Sequence, residues 1–152
     1  MSNLIQDYTE WLTRKSIIVE ASDEWTQLIT PYLKFNNDQL EIFFRQEADN
    51  KITFSDDQQT LRELEMKGLT LEAPHFSTAV DRILRAYGVR RVGEELTLTA
   101  ALDNKETALH RFLEAVRNVL DLHVLAMEAQ NLSSSFSDDI DDWLRSKRIP
   151  FL

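Results

Sequence analysis

The sequence predicts an α+β fold, in which a small antiparallel sheet of about four to five short strands is packed by several helices. Short β-branched and aromatic runs, separated by polar turns, occupy the first third of the chain and are typical of antiparallel strands. From about 103 to 129, apolar residues recur at intervals of three and four, which indicates one long helix. A chain of 152 residues has the size of one ordinary domain.

The strands are predicted where apolar residues cluster between turn signals. They fall at 17–20, 25–30, 40–46, 51–55 and 95–100. The runs 40–46 and 51–55 flank a polar loop, so we expect them to form a hairpin. The second strand should stop at Pro31, because proline has no N–H to donate to a strand ladder.

The helices are predicted from apolar periodicity and from residues typical of helix ends. The first helix has one apolar face, made of Leu4, Ile5, Tyr8, Trp11 and Leu12. Asp56 should cap a second helix, because its carboxylate can accept first-turn N–H groups, and Gly68 should end that helix. A third helix covers 76–87 and ends at Gly88. The long helix spans about 38 Å at about 1.5 Å per residue, enough to extend beyond the core or pair with a partner.

The chain divides into one α+β domain (1–131), a serine-rich linker (132–137) and an amphipathic helical tail (138–152). One tail face carries apolar residues and the other is acidic: Phe136, Ile140, Trp143 and Leu144 against Asp138, Asp139, Asp141 and Asp142. Such a helix can place apolar anchors in a groove of a partner. Packing on its own domain is the alternative interpretation.

Composition excludes several classes of function. There is no cysteine, which excludes disulfides, thiolate metal sites and cysteine nucleophiles. The net charge of −9 disfavours direct binding to nucleic acid. That acidity either serves solubility or forms a face that imitates DNA on a basic partner. No apolar run approaches the roughly 18 residues of a membrane helix, so we expect a cytoplasmic protein with no membrane contact.

A carboxylate cluster is the first candidate for chemistry. It consists of Asp38, Glu41, Asp56, Asp57 and Glu65, with Lys67 nearby. Two or three carboxylates around a divalent cation, with a lysine to hold water, are typical of a metal-dependent nuclease. However, Glu65 and Lys67 fall in the last turn of a predicted helix, where residues two apart diverge. We favour capping by Asp56, a helix-dipole role for Asp57 and solvated Glu65 and Lys67, with no catalytic residue, metal or cofactor assigned.

The histidines and arginines give weaker signals. His110 and His123 are about 20 Å apart along one helix and cannot share an ion, and His75 alone makes no zinc site. A basic cluster could contact an anion or an acidic partner, or it could be a solvated face paired with local acids. It consists of Arg82, Arg85, Arg90 and Arg91.

Residues of about 19–99 resemble the DUF1828 family of bacterial and phage proteins. The matching pairs are Thr30-Pro31, Asn37-Asp38, Asp56-Asp57 and Gly68-Leu69. One departure is Gln58, where the family pattern has glycine, which argues against a tight backbone-lined pocket. The resemblance implies a context of phages, prophages and mobile elements, and it carries over no catalytic residue.

Together these observations favour a non-catalytic protein-binding or inhibitory protein of phage, prophage or mobile-element origin. Its target would be a host defence or nucleic-acid-processing protein, bound through an acidic surface or the C-terminal helix. One alternative is a metal-dependent nuclease or phosphoesterase that uses Asp38, Asp56 and Asp57. A second alternative is an antitoxin or a structural homodimer that pairs through the long helix.

Overall fold

The computed structural model describes residues 3–22 and 24–132. Its helices are α1 (Leu4–Lys15), α2 (Gln59–Glu65), α3 (Pro74–Tyr87) and α4 (Lys105–Leu132). Its strands are β1 (Ile17–Glu20), β2 (Thr26–Leu33), β3 (Gln39–Glu47), β4 (Lys51–Ser55), β5 (Arg90–Val92) and β6 (Glu95–Ala101). The predicted α+β fold with one long helix is confirmed. The predicted tail, and the linker from residue 133 onward, lie outside the described residues.

The strands form one antiparallel sheet in the order β1-β2-β3-β4-β6-β5. It has six strands rather than the four to five predicted. The sequence interpretation missed β5, because this strand has only three residues and two of them are arginines. It pairs with β6, where Arg91 lies opposite Leu96.

The prediction that Pro31 ends the second strand is wrong, because β2 continues through it to Leu33. The pairing with β3 is regular as far as Ile29 opposite Glu41, and then shifts so that Leu33 lies opposite Gln39. Pro31 therefore falls in the irregular stretch, where a missing N–H removes no regular ladder bond. The hydroxyl of buried Thr30 donates to the carbonyl of Leu40 at 2.8 Å in the same stretch.

The hydrophobic core lies between one face of the sheet and helices α2, α3 and α4. Alternation along the strands directs Ile42, Phe54 and Leu96 to this face, and all three are buried. The Phe54 ring packs on Phe112 of α4, with ring centroids 6.0 Å apart. The long helix begins at Lys105, after a 3-10 turn (Leu102–Asn104), and extends to Leu132, slightly beyond the predicted 103–129. We call the opposite side of the sheet the open face.

Candidate protein-binding surfaces

Asp56 is a structural residue at the junction of β4, α2 and β6. Its side chain is only 1% exposed. One carboxylate oxygen accepts the N–H groups of Gln58 and Leu96 at 3.0 and 2.9 Å, and the other accepts that of Thr60 at 3.1 Å. Burial raises the pKa of Asp56, although these hydrogen bonds oppose the rise. Both oxygens are therefore committed to backbone donors.

The turn after Asp56 delays the start of the helix. Asp57 and Gln58 both have left-handed backbones, with φ of 54° and 67°, so α2 starts at Gln59 and its N-cap is Gln58 rather than Asp56. The predicted N-cap position is thus wrong, although the Asp56 carboxylate does accept N–H groups at the entry to the helix. Left-handed backbone is unfavourable for residues with a side chain, and the junction therefore stores local strain.

The other candidate carboxylates do not join Asp56. Asp38 lies in the turn before β3, where its side chain accepts a hydrogen bond from the Asn36 amide at 3.1 Å. Glu65 is exposed at the far end of α2, about 10 Å along the helix from its start, and Lys67 is exposed in the following turn. Among the described residues, no group of three or more His, Asp or Glu side chains could hold a metal ion. The nuclease alternative therefore has no assembled centre in this part of the chain.

The three histidines lie apart from one another. His75 is in the first turn of α3, and His110 pairs with Glu114 on the exposed side of α4. His123 packs on Phe35 with ring centroids 4.6 Å apart. Burial, and secondarily the Lys67 charge, lowers the pKa of His123 below 6.5.

The arginine cluster is divided between two roles. The Arg91 guanidinium donates to both carboxylate oxygens of Asp81, at 3.1 and 3.4 Å, and to the carbonyl of Gly93 at 3.1 Å. Arg82 and Arg85 on α3, and Arg90 on β5, are exposed and form no ion pair with another described residue. Arg91 thus fits the interpretation of local pairing, whereas the other three form a dispersed basic surface.

The open face of the sheet carries somewhat more carboxylates than cationic groups. Residues 21–58 contain eight acidic and three basic residues, but only some of these acidic residues, Glu24, Glu41, Glu47 and Asp57, lie on or beside the open face. The strand register directs Glu41, Arg45 and Glu47 of β3 to the open face, since they alternate with the core residues. Arg45 binds Glu47 and Glu24 at 2.7 and 3.1 Å. The register also directs two cationic residues to this face, Lys51 and Arg90. The excess is therefore two carboxylates, since five (Glu24, Glu41, Glu47, Asp57 and Glu95) face three cations.

A shallow cavity of about 250 Å³ lies at the edge of the open face. Its lining includes two aromatic rings, Trp25 and Phe43, and two carboxylates, Asp57 and Glu95. The Ser55 hydroxyl fixes this edge, since it donates to Glu95 at 2.5 Å and accepts the N–H of Asp57 at 3.0 Å. Aromatic faces beside carboxylates suit a cationic side chain. The Arg45 guanidinium, 4.5 Å from the centre of the Trp25 ring, already makes this kind of contact.

The N-terminal unit, α1 and β1, exposes much apolar surface that the sequence analysis did not propose as a binding site. Of the twelve exposed large apolar side chains identified in the described part, seven lie in this unit: Leu4, Ile5, Tyr8, Trp11, Ile17, Ile18 and Val19. No residue of α1 is buried. The Tyr8 side chain lies beside Tyr32 of β2, and this proximity, with burial, raises the pKa of Tyr32. The signal in the sequence is the apolar face of α1, which was identified there but not interpreted as a binding surface.

The tail residues predicted to bind a partner, from Phe136 to Leu144, lie outside the described residues. Within residues 3–22 and 24–132, no helix is both long enough and apolar enough to cross a membrane.

Comparison with known families identifies the family of this chain. A family model described as a domain of unknown function, DUF1828, matches residues 30–119, more than half of the 152 residues. The chain belongs to the DUF1828 family. No curated protein and no solved structure matches it.

The DUF1828 match runs from β2 into α4, somewhat later in the chain than the resemblance at about 19–99. It includes the Asp56 junction and most of the open face. The apolar unit of α1 and β1 precedes it. In this DUF1828 protein, the acidic face therefore belongs to the family domain and the apolar unit lies outside the match.

Proposed function

We propose that this DUF1828 protein is a non-catalytic binding protein whose acidic open face occupies a basic surface on another protein. The partner class that fits is a cytoplasmic nucleic-acid-processing or defence protein of a bacterial host, and the implied origin is a phage, prophage or mobile element. The observation that supports it is the carboxylate excess on the open face, which α2, α3 and α4 leave uncovered. Complementary charge steers encounter and selects basic partners.

The cavity beside the open face supports this proposal. Its volume of about 250 Å³ is small, and Trp25, Phe43, Asp57 and Glu95 combine apolar and negative character. A lysine or arginine side chain of the partner matches this lining, because its apolar stem can contact the rings and its cationic end can contact the carboxylates. The same side chains on the partner would otherwise contact phosphates, so binding here would exclude nucleic acid.

The test is capture from a bacterial lysate with the tagged full chain, followed by mass spectrometry and a DNA-competition assay on the captured protein. Glu24→Gln/Glu41→Gln removes two charges from the open face. Glu72→Gln/Asp103→Asn removes two charges from exposed positions elsewhere and is the matched control. We expect the first variant, but not the second, to weaken binding, and added DNA or salt to displace the protein.

Two results would contradict the proposal. One is equal binding by both double variants, which would remove the role of the open face. The other is a partner that DNA does not displace. A Trp143→Ala variant of the full chain separately tests the tail as an anchor: a loss of binding with this variant alone would move the contact from the open face to the tail.

A further inference from the structure

We propose that the N-terminal unit is a homodimer interface, in which β1 pairs antiparallel with β1 of a second copy. This inference does not depend on the proposed function, because it concerns a different surface. It begins with β1, which pairs with β2 on one side only and is an edge of the sheet. All four of its residues are exposed. An edge strand presents unpaired N–H and C=O groups that can pair with another strand.

The two edges of the sheet differ in chemistry. At the opposite edge, β5 has the sequence Arg-Arg-Val, and charged residues of this kind discourage edge pairing. β1 has Ile17, Ile18 and Val19 in succession, with no proline and no lysine within the strand. Apolar β-branched residues in an unprotected edge favour pairing over solvent exposure. The association should therefore use β1 and not β5.

The distribution of charge favours a second copy of this chain as the partner of β1. The protein carries −9 overall, so most pairs of its surfaces repel each other. Residues 3–20 contain three acidic and two basic residues and are nearly neutral. Antiparallel self-pairing with Ile18 opposite Ile18 of the second copy, and Ile17 opposite Val19, keeps the face of each strand and places Ser16 opposite Glu20 of that copy. Lys15 then lies next to that glutamate. Two-fold symmetry repeats this attraction at the other end.

The exposed face of α1 enlarges the same surface. Leu4 and Ile5 are 75% and 73% exposed, and Tyr8 and Trp11 stack with ring centroids 6.0 Å apart. The helix joins β1 through one residue, Ser16, whose N–H donates to the Leu12 carbonyl at 3.0 Å. Antiparallel edge pairing places the two-fold axis perpendicular to the sheet. The two sheets then become continuous, and both open faces lie on the same side of the dimer.

The first experiment is size-exclusion chromatography with light scattering on the full chain at several concentrations. We expect twice the chain mass of 17.7 kDa. Ile18→Glu, at a position 67% exposed, should give the mass of one chain with an unchanged far-UV circular dichroism spectrum. Val92→Glu, at a position 58% exposed on the opposite edge, should remain dimeric. A monomeric wild type, a dimeric Ile18→Glu or a monomeric Val92→Glu overturns the proposal.

A charge exchange tests the register. Lys15→Glu and Glu20→Lys should each weaken dimerisation by about 2- to 30-fold, from two exposed ion pairs per dimer. The double variant Lys15→Glu/Glu20→Lys should restore it, because the attraction is then reversed in sign but equal in strength. Single variants that dimerise like wild type, or a double variant weaker than both, overturn this pairing. These measurements contain no other protein, so their failure leaves the proposed function to its own test.

Discussion

The carboxylate of Asp56 accepts the backbone N–H of Leu96 at 2.9 Å and thereby joins the end of β4 to the start of β6. The two residues are 40 positions apart in the chain. The same oxygen accepts the N–H of Gln58, so one buried side chain connects two strands and a helix entry. This bond explains why a carboxylate is buried in a domain whose described part holds no metal cluster.

Replacing Asp56 by asparagine should destabilise the protein by about 1–3 kcal/mol. The asparagine amide can accept hydrogen bonds only through its oxygen, so the N–H of Thr60 would face another donor. Urea denaturation followed by circular dichroism measures the change. Asp57→Asn is the matched control at an exposed position and should change stability by less than about 0.5 kcal/mol. Equal stability of wild type and Asp56→Asn would contradict the structural role.

The pH dependence of that difference has a definite sign. Burial raises the pKa of Asp56 in the folded state above the ordinary 3.8, so the folded state binds this proton more tightly than the unfolded state. The contribution of Asp56 to stability is therefore greatest below pH 3.8 and decreases as the pH rises through the folded pKa. Unfolding free energies of wild type relative to Asp56→Asn, measured across this range, should decrease with pH. A difference in unfolding free energy that increases with pH would show that the folded state lowers the pKa of Asp56 instead.

Gln58→Gly should stabilise the fold by about 0.5–1 kcal/mol. The left-handed backbone at φ 67° is costly for glutamine, and the relief exceeds the entropy that glycine loses. The lost hydrogen bond from Arg62 to the Gln58 side chain is exposed and contributes little. Gln59→Gly, one residue later at the first position of α2, is the control and should lower stability. Thermal melting distinguishes the two, and a lower midpoint for Gln58→Gly would contradict the strain argument.

His123 should make the protein less stable in mild acid. Burial and the Lys67 charge lower its pKa in the folded state below 6.5, so the unfolded state takes up the proton first as the pH falls. The contribution of neutral His123 to the free energy of unfolding is present above pH 6.5 and is lost as the pH decreases through the pKa of His123 in the folded state. His123→Phe keeps a ring against Phe35 and should remove this part of the dependence. A variant with the same pH profile as wild type would show that other groups cause it.

Divalent metal should leave the stability of this protein unchanged. Asp56 is committed to N–H donors, and the described residues hold no cluster of three or more metal ligands. A ligand that binds only the folded state raises the melting temperature, so thermal melts with and without Mg²⁺ or Mn²⁺ report binding directly. A rise in melting temperature on addition of metal, absent in the Asp57→Asn variant, would support the nuclease alternative instead.

Local patterns in the sequence were sufficient for the α+β class, for the hairpin of β3 and β4, and for helix ends such as Gly88, which adopts a left-handed φ of 71°. Periodicity, turn residues and glycine conformation act within a few residues, and they operate in the same way before and after folding. Tertiary structure decided three other features: β2 continues through Pro31, the short strand β5 forms, and the Asp56 carboxylate accepts the N–H of Leu96. It also decided that α1 and β1 remain exposed while residues of the same apolar character in α4 are buried. Each of these outcomes depends on partners far away in the chain, whose positions exist only once the sheet has assembled.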